Sequence, residues 1–192
     1  LEGVQIVAYC EDQDPRLLEP VAELDPGART YTSVDDLIGS EEFELAVVVL
    51  PAAEIPATAT KLAEAGKHMY LEKQFARRSP ELAKLARCVR RNGVVAMPGY
   101  PHRFNPVCRE LKQLIDAGLL GRPLDLEVRL VTSQVRPGLR DPQSFLFTDA
   151  GEGGGVLHML GCHYLEVMRY LMGCEIKSVQ AMTGRPVGFI EE

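Results

Sequence analysis

The 192-residue sequence has no run of 18 apolar residues, so no segment of it reads as a membrane-spanning helix. It has no basic block either: 21 lysines and arginines stand against 27 aspartates and glutamates, for a net charge of −6. Non-specific nucleic-acid binding lacks its electrostatic driver, and no nucleic-acid partner is expected. There is no C-x-x-C pair, and the 5 cysteines (Cys10, Cys88, Cys108, Cys162 and Cys174) are scattered and odd in number. That excludes a disulfide framework and a structural zinc site, and it suits free thiols in a reducing cytoplasm. Low-complexity stretches and internal repeats are also missing. Hydrophobic residues at 46% and charged residues at 25% give an ordinary globular composition. The length corresponds to about 1.3 domains at roughly 150 residues each.

What is present in the first half is an alternation of strand and helix signals. Val4–Tyr9 reads as a short buried strand, ended by Cys10-Glu11-Asp12. Pro15 suits a helix start, and Leu17, Leu18, Val21 and Leu24 follow at helical spacing. Ser33 before Asp35 and Asp36 predicts an N-cap and a short helix ending near Gly39. Leu45–Leu50 reads as a strand closed by Pro51, Ala57–Ala65 as a helix stopped by Gly66, and His68–Leu71 as another strand. Ser79–Arg91 reads as a helix ended by Asn92-Gly93, with a strand at Val94–Met97. Such short connections predict a doubly wound parallel sheet covered by helices, an α/β fold.

Beyond Pro98-Gly99 the pattern changes, which places a domain boundary there and divides the chain into 1–98 and 99–192. A helix is expected over Pro106–Ala117, then a strand over Leu124–Val131, where apolar and polar residues alternate. Ser133–Gly155 has no regular period and reads as a long loop of the kind that is functional or mobile. Val156–Met172 reads as a helix stopped by Gly173, and Ile176–Met182 as a strand. The alternation over Leu124–Val131 suggests a sheet with one solvated face in the second half.

Candidate chemistry clusters at strand ends and on one helix. Gly151-Glu152-Gly153-Gly154-Gly155 is not a dinucleotide loop, because no strand precedes it and the third glycine of G-x-G-x-x-G falls at Val156. Glu11, with Asp12 as a near alternative, has the place of the carboxylate that takes ribose hydroxyls in doubly wound folds. A solvated acidic turn is the plainer reading of the same residues. Glu72-Lys73 follows a strand at the edge where ligands bind, and a lysine there can move a proton; a surface turn is the alternative. At 100° per residue, His163 falls on the flank of the apolar stripe formed by Val156, Leu160, Val167 and Leu171. It is a candidate catalytic group or a satisfied structural histidine. His158 and Cys162 are spaced i,i+4 but lack further ligands, so no metal site is expected.

Three segments taken together carry a resemblance. Residues 65–73 (AGKHMYLEK) resemble the "AGKHVLVEKP" segment of the glucose–fructose oxidoreductase / inositol dehydrogenase / MocA-like family. Residues 99–106 (GYPHRFNP) resemble its "GYxxRFxP", and residues 153–170 (GGGVLHMLGCHYLEVMRY) its "GGGxLxDxGxHxxDxxRW". The resemblance implies a Rossmann domain over 1–98 and a substrate and oligomerisation domain over 99–192, α+β with a mostly antiparallel sheet. It implies hydride transfer between NAD(P) and a hydroxyl-bearing carbon of a sugar, cyclitol or related polyol, in a cytoplasmic homo-oligomer. Carried over by position, Lys73 and His163 handle the proton and also contact substrate. Glu11, Leu50, Pro51 and Glu72 line the cofactor, and His102 and Arg103 lie where substrate contacts are found. Glu11 favours NAD over NADP by repelling a 2′-phosphate.

The sequence also departs from the family pattern. Gln74 stands in place of the proline, and Met159 in place of the aspartate one turn before the histidine. The family's first strand and glycine loop have no counterpart in the sequence, which begins at Leu1, and the chain is expected to be an internal fragment of a longer protein. Two other activities compatible with the resemblance are a non-catalytic dinucleotide sensor or interaction module and an NAD-assisted glycoside hydrolase.

Overall fold

A computed structural model describes residues 3–76, 78–132, 157–182 and 184 of the chain. It divides into two compact units, Leu1–Pro98 and Gly99–Glu192. The first unit holds β1 (Ala8–Cys10), α1 (Leu18–Leu24), β2 (Arg29–Tyr31), α2 (Val34–Ser40), β3 (Leu45–Val48), α3 (Ile55–Glu64), β4 (His68–Leu71), α4 (Ser79–Arg91) and β5 (Ala96–Pro98). A single 3-10 turn, Pro15–Leu17, leads into α1.

All strand pairing among the described residues is parallel. β1 pairs with β2 from Ala8 opposite Arg29 to Cys10 opposite Tyr31. The order β3-β4-β5 makes a second sheet, with Val48 opposite Leu71 and Leu71 opposite Pro98. Parallel neighbours cannot be joined by a tight turn, so α3 crosses from β3 to β4 and α4 from β4 to β5. Those helices cover one face of the sheet. Val48, Met69 and Leu71 from the strands meet Ile55, Ala59, Leu62 and Ala63 of α3 and Leu85 and Cys88 of α4. The alternate strand positions point the other way, leaving Leu45, Val47 and Met97 exposed.

Local signals set most of the boundaries. Ser33 accepts a hydrogen bond from the Asp36 amide at 3.3 Å and caps α2. Past the end of α3, Gly66 has φ of 73°, a backbone angle that side-chain-bearing residues avoid. One polar contact secures β2: buried Glu41, just past α2, takes the Arg29 guanidinium at 2.7 Å and the Tyr31 hydroxyl at 2.5 Å. That hydrogen bond is the main cause raising the Tyr31 phenol above its ordinary value.

In the second unit the described elements are a 3-10 turn at Pro101–Phe104, α5 (Pro106–Asp116), a π-helical turn at Leu157–Gly161, and α6 (Cys162–Met172) ended by Gly173 at φ of 62°. The structure corrects two sequence expectations here. Residues 124–131 and 176–182 form no strand, and Leu124, Val131, Val179 and Met182 are exposed. Alternation marks a chain suited to a sheet, but a strand exists only beside a partner, and the described residues place none there. The expected loop at Ser133–Gly155 lies outside the described residues. So do the glycine-rich residues 151–155 and Val156.

Replacing fully buried Ile55 with alanine is expected to destabilise the protein by about 2–5 kcal/mol. Val47→Thr, at a position 67% exposed, should change stability by less than about 0.5 kcal/mol. Urea titrations of the two variants measure the difference, and equal effects would overturn the assignment of the core to the helical face.

Candidate active site

In the first unit, the residues singled out from the sequence all follow the carboxyl ends of parallel strands. Glu11 comes directly after β1, and its amide donates to the Tyr31 carbonyl at 3.0 Å, extending the β1–β2 ladder by one bond. Its carboxylate folds back on its own turn: Oε1 accepts from the Gln13 amide at 2.8 Å and the Asp14 amide at 3.1 Å. These bonds fix the direction of the carboxylate and do not involve Oε2. Asp12, the near alternative, is exposed.

Leu50 and Pro51 follow β3. The Pro51 carbonyl accepts from the amides of Glu54 at 2.9 Å and Ile55 at 3.3 Å, which starts α3. Glu72 and Lys73 follow β4; the Glu72 amide donates to the Val48 carbonyl at 2.8 Å, carrying the β3–β4 ladder to its last rung. Because β3 and β4 are neighbours in register, Leu50-Pro51 and Glu72-Lys73 emerge at one sheet edge. Lys73 is half-buried, and the Lys73–Gln74 peptide bond is cis.

In the second unit, the turn Pro101–Phe104 is brought against α6. The His102 ring lies 5.1 Å from the His163 ring, centroid to centroid, with the planes 65° apart. Tyr100 meets His163 edge-on at 5.8 Å, and His102 also lies 5.4 Å from the Tyr164 ring. His163 is thus one member of a ring cluster and is half-buried. Burial is the main cause pushing the Tyr100 phenol up, with Cys162 adding to it and Arg169 opposing, so the hydroxyl keeps its proton at neutral pH.

Arg103 is held from two directions. Its guanidinium forms an ion pair with Glu166 and lies 4.9 Å from the centre of the Tyr170 ring. Glu166 is buried, and its Oε2 has no hydrogen-bond partner among the described residues. Further along α6, Arg169 grips Glu175 with Nε at 3.0 Å and a terminal nitrogen at 2.6 Å, which lowers the Glu175 carboxyl below its ordinary value. A polar cavity of about 340 Å³ lies here, lined by Arg103, Arg169, Tyr170, Gly173, Cys174 and Glu175. It is not centred on the histidines. Among the described residues no three potential ligands come together to hold a metal ion.

The sequence reading of the site did not include Tyr100, Tyr164, Glu166 or Tyr170. The signal for two of them was available: His163, Glu166 and Tyr170 at i, i+3 and i+7 share one helix flank. Tyr100 and Tyr164 reach the cluster through tertiary contact, which helical spacing does not report.

Comparison with known proteins places these residues in context. The family profile described as "Oxidoreductase family, NAD-binding Rossmann fold" matches residues 2–100, and that described as "GFO/IDH/MocA C-terminal domain" matches residues 108–190. A scyllo-inositol 2-dehydrogenase (NAD(+)) of Bacillus subtilis is 29% identical over 69% of this chain and 36% of its own length. The crystal structure of a putative dehydrogenase from Bordetella bronchiseptica superimposes with a TM-score of 0.86 at 23% identity, covering 96% of this chain and 47% of that one. The WlbA dehydrogenase from Bordetella pertussis, in complex with NADH and UDP-GlcNAcA, gives a TM-score of 0.75 at 22% identity, covering 87% and 47%. The chain spans about half the length, or less, of the curated relatives it matches. Among the described residues, no helix is long and apolar enough to cross a membrane.

Cys10, at the end of β1, provides an electrostatic test of this corner of the site. Burial first, then the negative charges of Asp12, Glu11 and Asp36, raise its thiol pKa. The thiolate is the reactive form, so a raised pKa leaves less of it at any pH below that value. Iodoacetamide at pH 8 should label Cys10 several-fold more slowly than exposed Cys174, with the gap closing as pH rises. Equal rates at pH 8, read by peptide mass spectrometry, would refute this account.

Proposed function

The chain belongs to the GFO/IDH/MocA family of NAD-binding oxidoreductases, and from that premise we propose that its protein transfers hydride between NAD and a hydroxyl-bearing carbon of a sugar, cyclitol or related polyol in the cytoplasm. The observation that carries the reading is the placement of Glu11, Leu50-Pro51 and Glu72-Lys73 at the carboxyl ends of parallel strands, where doubly wound folds bind dinucleotides. The names of relatives support the substrate class: one is a scyllo-inositol 2-dehydrogenase and another structure holds NADH with a UDP-sugar acid.

The residues present fit the ribose part of the cofactor. The Glu11 carboxylate is aimed by two backbone amides, and its Oε2, outside those bonds, would accept from the adenosine ribose hydroxyls. The same negative charge opposes a 2′-phosphate and favours NAD over NADP. Leu50, Pro51 and Glu72 would line the dinucleotide along the β3–β4 edge. When bound, NAD supplies the hydride acceptor, and NADH the donor.

The remaining steps fall to this chain's own side chains. Lys73 Nζ takes the substrate hydroxyl proton as hydride leaves the carbon, and returns it in the reverse direction. In the second unit, His163 is assigned proton handling and substrate contact, and His102 contact with a substrate hydroxyl. Tyr100 keeps its proton and can act as a donor at neutral pH. Arg103, already paired with Glu166, has a half-exposed side chain at the edge of the cluster.

Met159, one turn before His163, favours a second reading, a non-catalytic dinucleotide sensor. The two readings separate in one set of measurements on the intact protein. NADH should bind, with Glu11→Ala weakening it by about tenfold, as expected for loss of a charge-assisted hydrogen bond. A panel of inositols and sugars should show NAD reduction, and Lys73→Ala should lower kcat by at least about 100-fold while NADH affinity stays within about threefold. Near-normal turnover in Lys73→Ala refutes the role of Lys73. Tight NADH binding without turnover across the panel supports the sensor.

A further inference from the structure

Among the described residues only Glu41 and Glu166 are buried charged side chains, and Glu166 is the one beside the proposed proton-handling histidine. It lies one helical turn beyond His163 on the same flank of α6. Its partner, Arg103, directly follows His102 in the Pro101–Phe104 turn. One ion pair therefore joins the two segments that carry the two imidazoles, and it does so next to the point where their rings approach to 5.1 Å. Tyr170, a further turn along the same flank, supports the guanidinium from its face at 4.9 Å. The planar fork of arginine is held at its tip by a carboxylate and over its plane by a ring, which leaves it little rotational freedom.

Stability alone accounts poorly for this arrangement. Glu166 is buried but the Arg103 side chain is 43% exposed, so desolvation of the carboxylate and solvent screening of the guanidinium leave the pair little net stabilisation. What the pair does supply is direction. The guanidinium–carboxylate contact fixes both the azimuth of α6 and the register of the turn, and small shifts in either would move one imidazole off the other.

We propose that Arg103 and Glu166 are positioning residues that hold His102 against His163, and that Arg103 acts through Glu166 and not by touching substrate. The proposal rests on the assignment of His163 to proton transfer given above. It makes the pair a determinant of how fast the hydroxyl proton moves, with little influence on how tightly substrate is held.

The test uses the intact protein with selectively 13C-labelled histidine and the variants Glu166→Gln, Arg103→Met and the double variant. The wild type should show cross-ring NOEs between His102 and His163. Each single variant should lose them while keeping its thermal melt cooperative. On a polyol that the wild type turns over, each single variant should lower kcat by about 10- to 100-fold with KM within about twofold, as for a misplaced catalytic group. The double variant should be no worse than the poorer single, because both remove one device. Should Arg103→Met fail to fold, Arg103→Lys keeps the charge without the fork and should lose the NOEs as well. Persistence of the ring contact in folded Glu166→Gln and Arg103 variants overturns the proposal. So does a raised KM with unchanged kcat in Arg103→Met alongside a silent Glu166→Gln, which would put the arginine on the substrate. If no polyol is turned over, the oxidoreductase reading fails, and the NOEs still decide whether the pair sets the histidine contact.

Discussion

Parallel pairing is the constraint on which the first unit depends. Parallel strands cannot be linked by hairpins, so each connection must climb back along a face of the sheet. The climb requires α3 and α4, and these helices supply the apolar cover for Val48, Met69 and Leu71. The same constraint sends successive strands out at one edge. Glu72-Lys73 and Leu50-Pro51 share that edge because β3 and β4 run in register. A chemically useful grouping thus arises from topology before any side chain is chosen for chemistry.

The second unit reaches its grouping by another route. No described strand organises it; a short 3-10 turn and one helix face each other, and the alignment of their rings has to be specified by side chains. Four rings and one ion pair do this within a few ångströms of one another. Rigid secondary structure fixes the strand-end residues of the first unit, whereas local side-chain packing fixes the histidines of the second. The two parts therefore differ in sensitivity to mutation: a substitution in a helix of the first unit acts through stability, and one in the ring cluster acts through geometry.

How much was legible in the sequence follows the same division. His68–Leu71 and Ser79–Arg91 are formed with the bounds their patterns indicate, because apolar runs and caps are local signals. Arg29–Tyr31 gave no such signal: three residues, one charged, become a strand only because β1 lies alongside. Residues 124–131 show the converse, a strong alternation without a strand where no partner is placed. In the site, strand-end residues could be picked out by position. The Arg103–Glu166 pair, 63 residues apart, could not, since nothing in a helical period says what will cross it.

The uncovered face of the β3-β4-β5 sheet has a consequence for handling the molecule. Sheets built only of parallel strands are normally shielded on both sides. Here Leu45, Val47 and Met97 present hydrocarbon to water opposite the helical cover. Contiguous patches of this kind promote self-association, more strongly at high concentration and in strongly salting-out buffers. In a preparation of this chain alone, these three apolar side chains therefore add to self-association, against an overall charge of −6 that favours solubility.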